Sequence, residues 1–151
     1  TCAAGTFSGL MASICTQCSE GSVSAAGAPS CTVCAAGTYM NTARTSCVAC
    51  PAGTFADTPG SSNCTKCGLG KYSGKYSFLY KSKFLYILDF LDTIGATAAS
   101  VCLNCPLGTY GTSEGLTSSE QCTKCPGGTF STLAGQTSNS TCKPCAADTV
   151  R

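Results

Sequence analysis

Hydrophobic residues are sparse along most of this chain, and the aromatic ones recur at fixed distances from cysteines. In six places an aromatic residue lies two positions after a glycine, and that glycine lies three positions after a cysteine. These aromatic residues are Phe7, Tyr39, Phe55, Tyr72, Tyr110 and Phe130. Thr and aromatic residues favour extended backbone, and the Ser-, Asn-, Gly- and Pro-rich stretches that follow favour turns. The pattern predicts a series of short β-hairpins.

The hairpin pattern is an internal repeat, because a Cys-x-x-Cys follows each turn and its second cysteine begins the next unit. Seven units begin at Cys2, Cys18, Cys34, Cys50, Cys67, Cys105 and Cys125, and only the second, with Val23, lacks the aromatic residue. From its first cysteine to the next cysteine along the chain, a unit spans 13, 13, 13, 14, 35, 17 and 17 positions in turn. We expect a quasi-one-dimensional array in which each unit touches mainly its neighbours.

The composition indicates a domain that is held together by cross-links and not by a hydrophobic core. The chain has 15 cysteines in 151 residues, and residues 78–91 hold a third of its few Leu, Ile, Val and Phe side chains. Burial of so few side chains cannot offset the conformational entropy of the chain. A disulfide that closes a loop of ~15 residues contributes roughly 3 kcal/mol. The predicted fold class is therefore small and disulfide-rich, a linear array of short β-hairpin repeats with no single hydrophobic core.

Charge and residue types exclude several functions. The net charge is +2, the charges are scattered, and there is no basic patch, so neither nucleic acid nor an anionic membrane is an expected partner. Histidine is absent, and no acid or serine is placed near a general base. The acids, spread over different units, are Glu20, Asp57, Asp89, Asp92, Glu114, Glu120 and Asp148. We expect no enzyme activity, no cofactor and no small-molecule substrate.

The fifth unit contains an apolar insertion, residues 74–92. Gly95 lies seven residues before Cys102, as Gly115 and Gly135 lie before the closing cysteines of units 6 and 7, and removal of 18 residues would reduce the separation of 35 to their 17. One hypothesis is a translated intron or a gene-model error, since the residues at both ends can be encoded by codons that contain splice-site-like sequences. The others are a real element, helical over 77–91, that binds a partner or an interface, and a neutral insertion without a function. The insertion separates 1–73, units 1–4 and the start of unit 5, from 93–151, the remaining units and a truncated repeat.

The cysteines allow two chemistries. As structural disulfides, they would close each unit through Cys2–Cys15, Cys18–Cys31, Cys34–Cys47, Cys50–Cys64, Cys67–Cys102, Cys105–Cys122 and Cys125–Cys142, leaving Cys145 for a partner beyond residue 151. A staggered pairing within blocks of two Cys-x-x-Cys pairs is the alternative, and sequence alone cannot decide connectivity. As zinc ligands, they would group as Cys15, Cys18, Cys31 and Cys34, then Cys47, Cys50, Cys64 and Cys67, then Cys102, Cys105, Cys122 and Cys125.

Two sequons for N-linked glycosylation occur, Asn63-Cys64-Thr65 and Asn139-Ser140-Thr141. Asn139 is the better acceptor, because a disulfide at Cys64 would constrain Asn63.

The unit resembles a known family. Cys50-Pro-Ala-Gly-Thr-Phe55, Cys105-Pro-Leu-Gly-Thr-Tyr110 and Cys125-Pro-Gly-Gly-Thr-Phe130, each followed by Cys-x-x-Cys, resemble the ephrin-type A/B receptor-like cysteine-rich repeats of the growth-factor-receptor and tumour-necrosis-factor-receptor group. The units at Cys18 and Cys67 depart from this pattern because they lack the proline. In the receptor-like module, the cysteine before Pro-x-Gly bonds the next cysteine along, which implies the unit-closing pairing. The even, Ala/Ser/Thr-rich units are similar to those of large protist and algal surface proteins.

Together these features predict an extracellular or cell-surface spacer, structural or adhesive, that is a fragment of a larger surface or filament protein. The expected partners are neighbouring repeats and other surface or matrix proteins, with a membrane engaged only through another part of the protein. The alternatives are the ligand-binding ectodomain of a receptor and a zinc-binding intracellular protein.

Overall fold

The protein is described here by a computed structural model, which covers residues 1–74 and 94–146. Each of the seven units forms a two-stranded antiparallel hairpin, which confirms the predicted array. The strands are β1 (Thr6–Phe7), β2 (Thr16–Gln17), β3 (Ser22–Val23), β4 (Thr32–Val33), β5 (Thr38–Met40), β6 (Cys47–Ala49), β7 (Thr54–Phe55), β8 (Thr65–Lys66), β9 (Lys71–Tyr72), β10 (Leu103–Asn104), β11 (Thr109–Tyr110), β12 (Thr123–Lys124), β13 (Thr129–Phe130) and β14 (Lys143–Pro144). Three 3-10 helices precede the closing cysteines of units 5–7, over Ala99–Val101, Ser119–Gln121 and Asn139–Thr141.

The fourth unit shows why this sequence folds into such a hairpin. Strand β7 pairs with β8, with Thr54 opposite Lys66 and Phe55 opposite Thr65, so the second strand is the pair of residues inside Cys-x-x-Cys. The Thr54 amide and hydroxyl both donate to the Pro51 carbonyl, at 3.1 and 2.7 Å. Thr therefore fixes the entry to the strand as well as favouring extended backbone. The same hydroxyl contact recurs at Thr6, Thr38, Thr109 and Thr129.

Every unit bends its backbone into the left-handed region at two places. The first is the glycine that precedes the aromatic position by two, for example Gly53 with φ +83°. The second lies in the turn and is also a glycine in five units, at Gly27, Gly60, Gly95, Gly115 and Gly135. Met11 and Arg44 take that position in units 1 and 3, with φ of +63° and +59°. A side chain there costs about 1–2 kcal/mol relative to glycine.

On the C-terminal side of the insertion, unit 5 has the register that the sequence indicates. Gly95 occupies the left-handed turn position that Gly115 and Gly135 occupy in the next two units. The 3-10 helices of the three units end at the residue before the closing cysteine in each case. The predicted helix over 77–91 and nearly all of the 74–92 insertion fall on residues 75–93, which lie outside the described residues, so all interpretations of the insertion stay predictions.

We predict that deletion of residues 75–92 leaves the array intact. The deletion places Gly95 ten positions after Cys67, as Gly115 follows Cys105. Each doubling of loop length costs about 0.6 kcal/mol, so the shortened unit should be at least as stable as the parent. Disulfide mapping and denaturant unfolding of the secreted protein would measure this. Deletion of residues 78–95 is the control: it removes as many residues but puts Ser77 in the left-handed position. Loss of the Cys67–Cys102 bond in the first variant would contradict the prediction.

Candidate functional site: the disulfide spine and the unit junctions

Seven disulfides connect the units in series. They are Cys2–Cys15, Cys18–Cys31, Cys34–Cys47, Cys50–Cys64, Cys67–Cys102, Cys105–Cys122 and Cys125–Cys142, the same pairs that the sequence analysis expects. Their Cα–Cα distances of 5.4 to 5.9 Å lie in the range usual for disulfides. Cys145 is free and exposed.

This connectivity creates a covalent path that bypasses the first strand and the turn of each hairpin. Each bond joins the first cysteine of a unit to the first cysteine of the following Cys-x-x-Cys, and the two residues inside that motif lead to the next unit. The path therefore crosses one disulfide and one short strand per unit, and we call it the disulfide spine. The Cys67–Cys102 bond spans 35 positions in 5.4 Å, so residues 75–93 lie in a bypassed loop.

Most disulfides of the spine have one cysteine that is buried from solvent. The first cysteines of units 1–6 are only 0–4% exposed, and Cys125 of unit 7 is half-buried. Their partners are more exposed in the first three units, where Cys15 and Cys47 are solvent-exposed. Disulfide exchange requires a thiolate to reach a sulfur. Burial of the first cysteine in units 1–6 therefore limits exchange at that end of each of these six bonds.

The other predicted sites lie apart from the spine. Asn63 and Asn139 are both exposed, and Asn139 is the first residue of the last 3-10 helix. Fourteen cysteines are disulfide-bonded, so the three proposed zinc groups have no free thiolates, and no cluster of three potential metal ligands occurs within 1–74 and 94–146. A shallow cleft of about 170 Å³ lies in unit 7 beside Ser131 and Gln136. Ligand pockets for small molecules usually have volumes of about 300–1,000 Å³.

Backbone hydrogen bonds join a unit to the next in a recurring set of three, which is complete at five of the six junctions. Between units 4 and 5, Gly53 donates to the Ser73 carbonyl at 3.0 Å, Ala56 to Ala96 at 3.0 Å, and Gly95 to Cys50 at 2.7 Å. The donors are thus the first glycine, the residue after the aromatic, and the turn residue of the next unit. Sequence reasoning missed this set, because backbone groups leave no residue signature except the turn glycines.

The junction between units 2 and 3 replaces two of these bonds. The Gly21 amide donates to Met40 Sδ at 3.2 Å instead of to a carbonyl, and the Arg44 amide donates to Asn41 within its own turn. Unit 3 has Arg44 at the turn position, and there the Arg44 guanidinium Nη1 donates to the carbonyl of Cys18, the acceptor that a turn amide reaches at the other described junctions that carry this bond. The second bond of the set is kept, from the Ser24 amide to the Arg44 carbonyl at 3.0 Å. The carbonyl of the buried cysteine therefore keeps a donor when the turn glycine is absent.

An aromatic side chain covers the disulfide of the following unit. Tyr72 of unit 5 is 5% exposed and packs in a cluster with Cys105 and Cys122, the disulfide of unit 6, flanked by Leu103 and Leu116. The aromatic residue is suited to this contact because it is the largest apolar group of the repeated unit. The apolar packing is thus divided among junctions instead of being gathered in one core.

Contacts also reach the next unit but one. A Cβ added to Gly53 of unit 4 would overlap the Gly115 carbonyl oxygen of unit 6, and Gly70 faces Gly135 in the same way. The sequence predicts that units touch mainly their neighbours. The structure adds second-neighbour contacts, in which the first glycine of a unit packs against the turn two units further along the chain. Glycine is required there for space as well as for its φ.

Comparison with known proteins supports the repeat assignment. Residues 37–77 match the family model described as tyrosine-protein kinase ephrin type A/B receptor-like. The chain contains an ephrin receptor-like cysteine-rich repeat. The match covers most of unit 3, unit 4 and the start of unit 5, and the remaining units share their hairpin, disulfide and junction geometry. The family is a receptor-like repeat and not an enzyme family. No curated protein matched the chain.

We predict that three glycine-to-alanine variants will separate the two requirements on the first glycine. Gly53→Ala adds both the left-handed strain and the clash with Gly115; Gly108→Ala adds only strain, because φ is +72° and no atom lies within 4 Å; Gly127→Ala adds neither. Strain should cost about 1–2 kcal/mol and the clash about 1–3 kcal/mol more. Denaturant unfolding with intact disulfides measures the order. Equal losses for Gly53→Ala and Gly108→Ala would disprove the second-neighbour contact.

We also predict one free thiol, at Cys145, when the 151-residue chain is prepared without reduction. Proteolysis without reduction, followed by mass spectrometry, should recover the seven closed units as linked peptides. Linked peptides that join the first and third cysteines of a block would show the staggered pairing instead.

Proposed function

We propose that this chain is an extracellular spacer whose disulfide spine transmits tension. The observation that carries this proposal is the connectivity, in which each disulfide bypasses the first strand and the turn of its own unit. Tension applied at the two ends follows the spine, which includes the second strand of each hairpin, and reaches the first strand and the turn only through strand pairing and the junctions. The adhesive role and the membership of a larger surface or filament protein belong to the same proposal.

The regularity of the junctions between units favours a spacer over a ligand-binding receptor ectodomain. The regular features are backbone contacts between units, which give length and stiffness and which are repeated at the junctions. The loops differ in length and sequence from unit to unit, and the cleft of unit 7, at about 170 Å³, is smaller than the usual ligand pocket for a small molecule. The alternative is a receptor ectodomain that binds a protein ligand along its loops. Such a ligand would be recognised by loop residues that take no part in the junctions.

The chemistry of the cross-links supports an extracellular location. Disulfides of this density form and persist in oxidising compartments, and they replace a core that a chain of this composition cannot build. The exposed sequons at Asn63 and Asn139 are compatible with passage through the secretory pathway. Partners would be neighbouring repeats and other surface or matrix proteins. In the described residues, no helix has the length and apolar character to span a membrane.

We predict that single-molecule stretching of the oxidised chain will give a short contour length that reduction increases about fourfold, because a free chain extends by about 3.3–3.6 Å per residue. Two double variants provide matched controls. Cys50→Ala with Cys64→Ala frees a separation of 14 residues, and Cys67→Ala with Cys102→Ala frees one of 35. The added lengths should be about 40 and about 115 Å.

The result would be different if the spine did not carry tension. An oxidised chain that already extends to its reduced length, or equal added lengths for the two double variants, would overturn the proposal. Stoichiometric zinc in the native protein, with free thiols at the Cys-x-x-Cys pairs, would support the intracellular alternative instead.

A further inference from the structure

The junction between units 2 and 3 uses a methionine sulfur where the other junctions use a backbone oxygen. At the other five junctions, the amide of the first glycine donates to the carbonyl of the residue after the aromatic position of the next unit, as Gly53 donates to Ser73. In unit 3 that residue is Met40, and the Gly21 amide donates to its Sδ atom at 3.2 Å. A thioether is a weak hydrogen-bond acceptor. One contact between these two units therefore depends on the chemical state of a sulfur atom.

Met40 is the exception at its position in the repeat. The other units have a small residue directly after the aromatic position, namely Ser8, Ser24, Ala56, Ser73, Gly111 and Ser131. Ser73 is fully buried and Ala56 is 3% exposed, whereas Met40 is only half-buried. The long side chain of Met40 brings its sulfur to the amide that a carbonyl serves elsewhere, and it leaves part of the residue open to solvent.

The surroundings of Gly21 leave little freedom for this contact to change. Gly21 has a φ of +73° and packs against the turn of unit 4, where an added Cβ would lie 1.8 Å from the Gly60 carbonyl oxygen. At 3.2 Å, the space between the Gly21 nitrogen and the Met40 sulfur holds a hydrogen bond and has no room for another heavy atom. A displacement of Gly21 away from Met40 would also disturb the second-neighbour contact with Gly60.

We propose that Met40 is an oxidation site whose modification loosens the junction between units 2 and 3. Hydrogen peroxide transfers one oxygen atom to the thioether: the O–O bond breaks, an S–O bond forms, the sulfur loses two electrons, and the second peroxide oxygen leaves as water. An oxygen on the side of the amide forces Gly21 and Met40 apart. An oxygen on the other side makes the sulfur electron-poor, so it no longer accepts from Gly21. The seven disulfides are unchanged, so the spine persists while one junction opens.

Arg44 reports on the opening of this junction. Its guanidinium donates to the Cys18 carbonyl, and its own carbonyl accepts from the Ser24 amide at 3.0 Å. A protease specific for arginine must take this guanidinium into its own pocket, so cleavage after Arg44 requires the contact with Cys18 to open. The other arginine of the sequence is Arg151, the last residue of the 151-residue chain, so such a protease has one internal site.

The test is peroxide treatment of the 151-residue chain carrying Cys145→Ser, which removes the free thiol as another oxidation site. Peptide mass spectrometry should find one added oxygen at Met40. Cleavage after Arg44, read after reduction because the site lies within the Cys34–Cys47 loop, should then be about tenfold faster, since it follows the population of the open junction. Methionine sulfoxide reductases specific for the two epimers should together restore the slow cleavage.

The second methionine of the sequence provides the matched control. Met11 is fully exposed and should also be oxidised, but a Met11→Leu chain should keep the whole response to peroxide. A Met40→Leu chain should show the same cleavage rate with and without peroxide. Acceleration that persists in Met40→Leu, or a Met40 that stays unmodified while Met11 is converted, would overturn the proposal.

Hydrogen exchange at the Gly21 amide gives a second measurement that needs no methionine substitution. The amide should exchange faster once Met40 is a sulfoxide, because it has lost its acceptor. Unchanged exchange and unchanged cleavage in a chain that carries the sulfoxide at Met40 would contradict the proposed loosening. Neither measurement applies tension, so the spacer proposal and this one can fail separately.

Discussion

The bond between the first cysteine of a unit and the first cysteine of the following Cys-x-x-Cys is the constraint on which the rest of this structure depends. It places the start of a unit within 5.4 to 5.9 Å, Cα to Cα, of the strand that closes it. The backbone then locks the second cysteine of that motif to the first glycine, as in the 2.9 Å bond from the Cys50 amide to the Gly37 carbonyl. With both ends fixed, two residues on each side are enough to pair as strands. An isolated hairpin of this size would be marginal in water without such a link.

A chain built in this way distributes its stability along its length. The apolar groups that are buried are mainly the cysteines themselves, together with an aromatic residue such as Tyr72 at a junction. No unit has a hydrophobic core of its own, so the stability of the array is approximately a sum of unit and junction contributions. Second-neighbour contacts strengthen the coupling beyond what adjacent units alone would give. They also explain why glycines such as Gly53 must be both left-handed and free of a Cβ.

The sequence predicts the units, their hairpins and the register across the insertion because cysteine, glycine and aromatic spacing encode them directly. It does not reveal the second left-handed position in units 1 and 3, since Met11 and Arg44 lack the residue type that marks such a turn. Nor does it reveal contacts between unit n and unit n + 2. Those contacts depend on how one unit is oriented relative to the next. Backbone hydrogen bonds at the junctions set that orientation, and no residue type in the sequence marks them.

The Arg44 substitution shows what the junction does require. A guanidinium on a long side chain reaches the Cys18 carbonyl where other units use a turn amide, and the neighbouring bond from the Ser24 amide is unaffected. The fixed elements are therefore the acceptor on the buried cysteine and the rotation between units, whereas the donor can change. Because a junction specifies geometry more than side-chain identity, units of 13, 14 and 17 positions follow one another without adapters.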